Sequence, residues 1–284
     1  MDEPTPPIDL STPSPYGRAG RNLWSAIAVG GALGAIALAS LLLVPWTFSV
    51  VVAAGILIST HELESAFATR GITLVRWPLF VGSPAVVLLA YFYGTTGMLA
   101  AFGTTLLLCL VFRLLGPTEG FATDIAATGF VLGYLALMGG FVSLSLASGL
   151  GAERVITFLL LTVGSDIGGY AAGVLAGRHP ISTRISPKKS WEGLAGSLVL
   201  QCVVGVLAFV YLLESSWWRG LIAAVVLTIT ATLGDFVESA LKRDLQVKDL
   251  GTILPGHGGL MDRMDSLLPN AFVSWGLFRL LLGT

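Results

Sequence analysis

The chain has 284 residues, of which 54% are hydrophobic and 12% charged, and its formal net charge is −1. Soluble domains carry roughly 25% charged residues, so half that charge between long apolar runs excludes an ordinary soluble domain. A near-neutral balance excludes the broad basic field that a nucleic-acid partner needs. Cys109 and Cys202 each lie inside an apolar run and read as small buried hydrophobes, without disulfide or metal spacing.

Residues 1–22 are rich in Pro and Ser and begin acidic. No basic segment leads directly into an apolar core, so they read as a disordered cytoplasmic tail rather than a signal peptide. Nine apolar segments follow, at 24–43, 46–60, 77–93, 97–115, 125–148, 155–175, 193–213, 219–234 and 267–282. Lipid leaves no backbone group unpaired, and no strand-like alternation is present, so these segments are expected to be helices. The expected fold is an all-α polytopic membrane protein with about nine transmembrane helices. Residues 23–150 would form an N-terminal region of five helices. Residues 151–284 would form a catalytic region of four, with two large cytoplasmic loops at 176–192 and 235–266. With the N-terminus inside, only Arg154, Arg219 and Arg279 among the sixteen basic residues face outward. Aqueous chemistry is therefore expected at the cytoplasmic face.

Charge concentrates in 235–265. The segment "LGDFVESALKRDL" extends the eighth apolar helix and places Asp235, Glu238, Ser239 and Lys242 on one face. Carboxylates there suit a hard divalent cation, and Lys242 and Arg243 suit phosphate oxygens. Asp235, close behind "VVLTITATLG", is costly unless paired or metal-bound. "KDLGTILPGHGGLMDRMD" follows, with glycines that permit close ligand approach. His257 within it either holds a phosphate or shapes the loop. Asp262 and Asp265 lie three apart and either share a metal or cap the last helix.

The other loop, "GRHPISTRISPKKSWEG", offers Ser186, Lys188, Lys189 and Ser190 to phosphates, followed by Glu192. Asp166, inside an apolar segment beside Gly168 and Gly169, is a functional candidate by its placement. Glu62 and Glu64 read as an interfacial edge. Basic residues, glycines and carboxylates on one membrane face point to metal-assisted chemistry on a phosphorylated substrate, and a substrate that meets such a site at the interface reads as a lipid.

The run from Ser239 to Asp265 resembles the signature of the phosphatidate cytidylyltransferases, or CDP-diacylglycerol synthases. Ser239, Lys242, Arg243, Lys248, Asp249, Gly251, Leu254, Pro255, His257, Gly258, Gly259, Asp262, Arg263 and Asp265 carry the pattern. "LGDFVES" and "SPKKSWEG" are similar to the family too, although Ser190 and Gly169 stand where Thr and Ala are common. The resemblance is strong from Asp166 onward and weak before it.

It implies that CTP and phosphatidate give CDP-diacylglycerol and pyrophosphate, with one or two Mg²⁺ ions, in the bacterial cytoplasmic membrane, and a homodimer is compatible with it. On this expectation Asp235 and Asp262 ligate metal, with Asp265, Asp166 and Asp249 in support. Lys188, Lys189, Lys242, Arg243, Lys248 and Arg263 neutralise phosphates, and His257, Gly258 and Gly259 hold phosphate oxygens or the leaving group. Ser186, Ser190, Glu192 and Ser239 complete the substrate contacts. Two other readings compete. A CDP-alcohol phosphotransferase needs a DG–AR–G–D run that is absent here. A transporter of an ion or a phosphorylated lipid places charge near the midplane between repeats, whereas these charges gather toward one face.

Overall fold

A computed structural model describes residues 23–251, 253 and 258–283, with side chains from residue 31 except 33. The expected tail at 1–22 and His257 lie outside the described residues. The chain is largely helical: α1 (Leu23–Leu43), α2 (Pro45–Ala68), α3 (Arg76–Leu114), α4 (Phe121–Val131) running through a π-helical turn (Leu132–Leu137) into α5 (Met138–Leu146), α6 (Gly151–Ala176), α7 (Trp191–Tyr211), α8 (Trp217–Leu245), a short α9 (Met261–Met264) and α10 (Leu267–Leu282).

Pro45 starts α2, where its missing N–H costs nothing. Ser190 caps α7 by accepting the Gly193 N–H. Gln246, with φ of 57°, closes α8.

Six helices among the described residues are long and apolar enough to cross a membrane, against nine apolar segments in the sequence. The difference has local causes. The expected segments 77–93 and 97–115 are joined as α3, broken at Gly94, where φ is 63° and ψ −154°. Glycine alone adopts that backbone without strain. The two halves fold back on each other, because a Cβ on Gly82 would overlap the Thr105 side chain. α10 has 16 residues, short of the roughly 20 that span hydrocarbon.

The all-α expectation also needs correcting. Loop 176–192 holds a short antiparallel hairpin, β1 (Pro180–Ser182) and β2 (Ser186–Ser190), with Ser182 opposite Ser186. Ser182 Oγ accepts the Ile185 N–H at 3.2 Å and closes the turn. β-branched Ile181 favours the extended backbone of β1.

Two apolar cores hold the helices. One gathers residues of α2, α3, α4 and α5 around Leu63, Leu79, Met98 and Leu135 and includes Met261 of α9. The other joins α6, α7, α8 and α10 around Leu161, Phe209, Leu227 and Phe278.

Helices α6 and α7 pack closely. A Cβ on Gly168 would lie 2.7 Å from the Gly196 carbonyl oxygen, and one on Gly196 would overlap Ala172. Ser197 Oγ donates to the Ser165 carbonyl at 2.6 Å, and the Gln201 amide donates to the Leu161 carbonyl. Small residues and interhelical hydrogen bonds replace the missing hydrophobic drive between helices in lipid. Gly196→Leu is expected to force these helices apart at a cost of about 2–3 kcal/mol, read as a fall of several degrees in thermal unfolding of the detergent-solubilised protein. An unchanged midpoint would rule out this packing.

Candidate active site

The C-terminal ends of α6 and α8, the start of α7, strand β2 and α9 meet around a cavity of about 390 Å³. Asp166, Lys188, Lys189, Ser190, Asp235, Asp262, Arg263 and Asp265 all line it. Residues far apart in sequence are thus brought to one end of the bundle. Thr232, Tyr170 and Ser197 share the lining and were not singled out from the sequence.

Each charge reaches the cavity for a local reason. Helix α8 runs unbroken to Leu245, so Asp235, Glu238 and Lys242 share a face toward its C-terminal end. The hairpin delivers Lys189, whose ammonium forms an ion pair with Asp235 and lies 5.8 Å from the Phe236 ring centre. Burial lowers the Lys189 ammonium pKa, against the pull of Asp265 and Asp166. Lys242 Nζ lies 2.7 Å from both Glu238 and Asp262.

Asp262 is the hub. It accepts the Gly259 N–H at 2.8 Å and the Leu250 N–H at 3.1 Å, beside its pair with Lys242. Burial alone would push its carboxyl up, but hydrogen bonding with Glu238, Lys242 and the two backbone N–H groups holds it below its ordinary value. Asp265 behaves oppositely: burial outweighs the Ser266 N–H bond at 2.8 Å and raises its carboxyl.

Several expected contacts sit elsewhere. Arg243 Nε donates to the Ile185 carbonyl at 2.6 Å, so it ties α8 to the hairpin. Glu192 accepts the Arg178 and His179 N–H groups at 3.1 and 3.2 Å and meets the His179 ring. It anchors the entry to β1. Ser190 lines the cavity but its hydroxyl caps α7. Ser186, Ser239, Lys248, Asp249, Gly258 and Gly259 lie outside the cavity lining. Lys248 is exposed. Gly258 has φ of 85°, and a Cβ on Gly259 would lie 2.7 Å from the Gly251 nitrogen, so these glycines set the fold of the loop.

Glu62 departs from the sequence reading. It is not an interfacial edge: it is 3% exposed, and its two oxygens accept the Leu260 and Met261 N–H groups at 2.9 and 2.8 Å. A carboxylate from α2 therefore seats the first turn of α9, where helix N–H groups await an anion. A Cβ on Gly251 would overlap that carboxylate. The signal in the sequence was a charge following an apolar helix, but "HELES" gives no sign of its partner. Glu64 does sit at an edge, 3.6 Å from Arg76.

The donor set suits a hard cation, since Asp166, Asp235, Asp262 and Asp265 offer only oxygen to one cavity. Among the described residues no three such groups already form a metal-sized cluster. Asp235 is engaged by Lys189, and Asp262 by Lys242, Glu238 and two backbone N–H groups, so each would have to share or exchange a partner to take a cation.

Comparison with known proteins gives the family. The sequence pattern of the cytidylyltransferase family matches residues 24–281. The chain belongs to that family. It is 41% identical over 280 residues to the phosphatidate cytidylyltransferase of Mycobacterium leprae, covering 93% of this chain and 90% of that protein. It is 39% identical to the Mycobacterium bovis phosphatidate cytidylyltransferase, over 93% of this chain and 90% of the other. The Helicobacter pylori phosphatidate cytidylyltransferase is 40% identical over 46% of this chain and 48% of its own length. Cytidylyltransferase likeness therefore extends well before Asp166, through the helix that carries Glu62.

Proposed function

We infer that this membrane protein transfers CMP from CTP to phosphatidate, giving CDP-diacylglycerol and pyrophosphate. The observation that carries the reading is the acid- and base-lined cavity at one end of an apolar bundle, in a chain of the cytidylyltransferase family. A phosphate monoester is already an anionic nucleophile, so no general base is needed. It attacks the α-phosphorus of CTP in line with departing pyrophosphate. The work left to the protein is to bring two anions together and to neutralise charge on the leaving oxygens.

Lys188 and Arg263, both in the cavity lining, meet the triphosphate and the lipid phosphate. Lys189 has two bidders, Asp235 and a substrate phosphate, and passes from the first to the second as substrate binds. Asp235, Asp265 and Asp166 are assigned to hold Mg²⁺, with Asp262 beside them in the same lining. The bound ion would supply charge neutralisation on the phosphate oxygens. Lys242 stays with Glu238 and Asp262 as a strut, and Arg243 keeps the hairpin against α8. His257 and the adjoining glycines are assigned to the phosphates of CTP.

The reading extends to nine membrane crossings with the N-terminus and the cavity on the cytoplasmic side of a bacterial inner membrane, and to a homodimer. The bias of Lys and Arg toward one set of loops supports the orientation. It keeps residues 151–284 as the catalytic region, with Glu62 reaching in from residues 23–150.

The test is pyrophosphate release by purified protein with CTP, phosphatidate and titrated Mg²⁺. Release is expected only when all three are present. Uptake of phosphatidate or ions into vesicles without pyrophosphate would overturn the assignment in favour of transport.

A further inference from the structure

A second cavity, of about 260 Å³, lies at the opposite ends of α6 and α8. It is lined by Arg154 in the first turn of α6, Arg219 in the first turn of α8, Glu214, and the apolar Leu150, Leu213 and Leu282. Arg154 and Gly173, which line the two cavities, are separated by about 28 Å along α6, close to the thickness of the hydrocarbon layer.

The two arginines are built in rather than splayed into solvent. Arg154 is 3% exposed and its Nη1 donates to Ser148 Oγ at 3.1 Å. Arg219 Nη1 donates to Ser215 Oγ at 2.9 Å, and its guanidinium sits 5.4 Å from the Trp218 ring centre. Its buried Nε has no hydrogen-bond partner among the described residues. A buried donor of that kind costs about 1–3 kcal/mol unless something accepts from it.

The backbone gives a second observation. Three non-glycine residues among those described have positive φ, and two of them, Leu150 at 54° and Glu214 at 46°, line this cavity. Strained backbone of this kind collects at ligand-holding sites. The first turns of two helices add unpaired N–H groups facing the same end.

We propose that this cavity binds the phosphate of an anionic phospholipid headgroup, on the membrane face opposite the catalytic cavity. Two guanidinium groups lining one cavity recognise phosphate. The apolar Leu150 and Leu282 in the lining favour a lipid, which brings acyl chains with its phosphate, over a free ion. Glu214 is the one carboxylate among the described lining residues and tunes the site against dianions. The site holds a lipid for structural reasons and does not depend on the cytidylyl-transfer reading.

The experiment is native mass spectrometry of the full chain, released from micelles containing phosphatidylglycerol or phosphatidylcholine, with inorganic phosphate as a separate arm. The wild-type protein is expected to retain phosphatidylglycerol over phosphatidylcholine. Arg219→Gln is expected to weaken that retention about tenfold, the worth of one charge-assisted hydrogen bond. Glu214→Gln is expected to strengthen it, and this second variant decides the matter if Arg219→Gln does not fold. CTP turnover of Glu214→Gln should match wild type. Equal phosphatidylglycerol retention by wild type and Arg219→Gln, or weaker retention by Glu214→Gln, would overturn the site. Displacement of the lipid by millimolar inorganic phosphate would overturn the choice of a lipid as its ligand.

Discussion

Asp262→Asn is expected to lower cytidylyl transfer by about 10²–10³-fold while the helices stay folded. The substitution keeps the shape of the side chain but converts one acceptor oxygen into a donor. Whichever way the amide turns, its NH₂ faces the Leu250 N–H, the Gly259 N–H or the Lys242 ammonium. Leu250 and Gly259 bracket the loop that contains His257, so loosening Asp262 releases the loop at both ends. Lys242 also loses one of its two carboxylates and is left beside Glu238 alone. A Mg²⁺ titration separates the two roles open to Asp262. If it is chiefly a latch, the maximal rate falls and the Mg²⁺ requirement stays put. If it is chiefly a metal ligand, about tenfold more Mg²⁺ restores much of the rate. Near-normal turnover at ordinary Mg²⁺ would refute both.

The contrast between Asp262 and Glu62 marks how far the sequence could be read. Helix positions were legible because hydropathy is a local property: each of the nine apolar segments coincides with a helical stretch. Asp235 and Lys242 on one face of α8 followed from a spacing that needs no tertiary knowledge. The gathering of Asp166, the hairpin lysines and Asp262 was legible through charge, because a chain this apolar keeps few buried acids without cause.

What was not legible depends on partners distant in sequence. Hydropathy marks where α3 leaves one apolar run for the next, but not that Gly94 turns the chain without leaving a loop. A stretch of Ser, Thr and Pro reads as coil, and only the pairing of Ser182 with Ser186 makes it a hairpin. Arg243 looked like a phosphate ligand because its neighbours are, yet the carbonyl it meets belongs to Ile185, 58 residues earlier.

Glu62→Ala is the second substitution expected to have a large effect, although Glu62 touches no residue of the cavity directly. Its carboxylate supplies the acceptors for two backbone N–H groups at the start of α9. Each charge-assisted hydrogen bond of this kind contributes about 1.5–3 kcal/mol, and the N–H groups left behind are buried. With them loose, α9 shifts, and Asp262, Arg263 and Asp265 shift with it. Turnover is expected to fall about a hundredfold, since displacement by about 1 Å is enough for that loss. Glu62→Gln should fall less, because its amide oxygen still serves one N–H.

A general loss of folding would lower turnover as well, so the decisive measurement is a double-mutant cycle with Gly251→Ala. Alone, Gly251→Ala is expected to impair turnover at least tenfold, because its Cβ meets a carboxylate that two hydrogen bonds hold in place. In the Glu62→Ala background that obstacle is gone and the same change should cost little. The two effects then combine to much less than their product, which two unrelated destabilising changes would not do. Multiplicative losses would show that Glu62 and Gly251 act separately, and that the N-terminal helices merely enclose the site instead of setting the position of its cavity-lining helix α9.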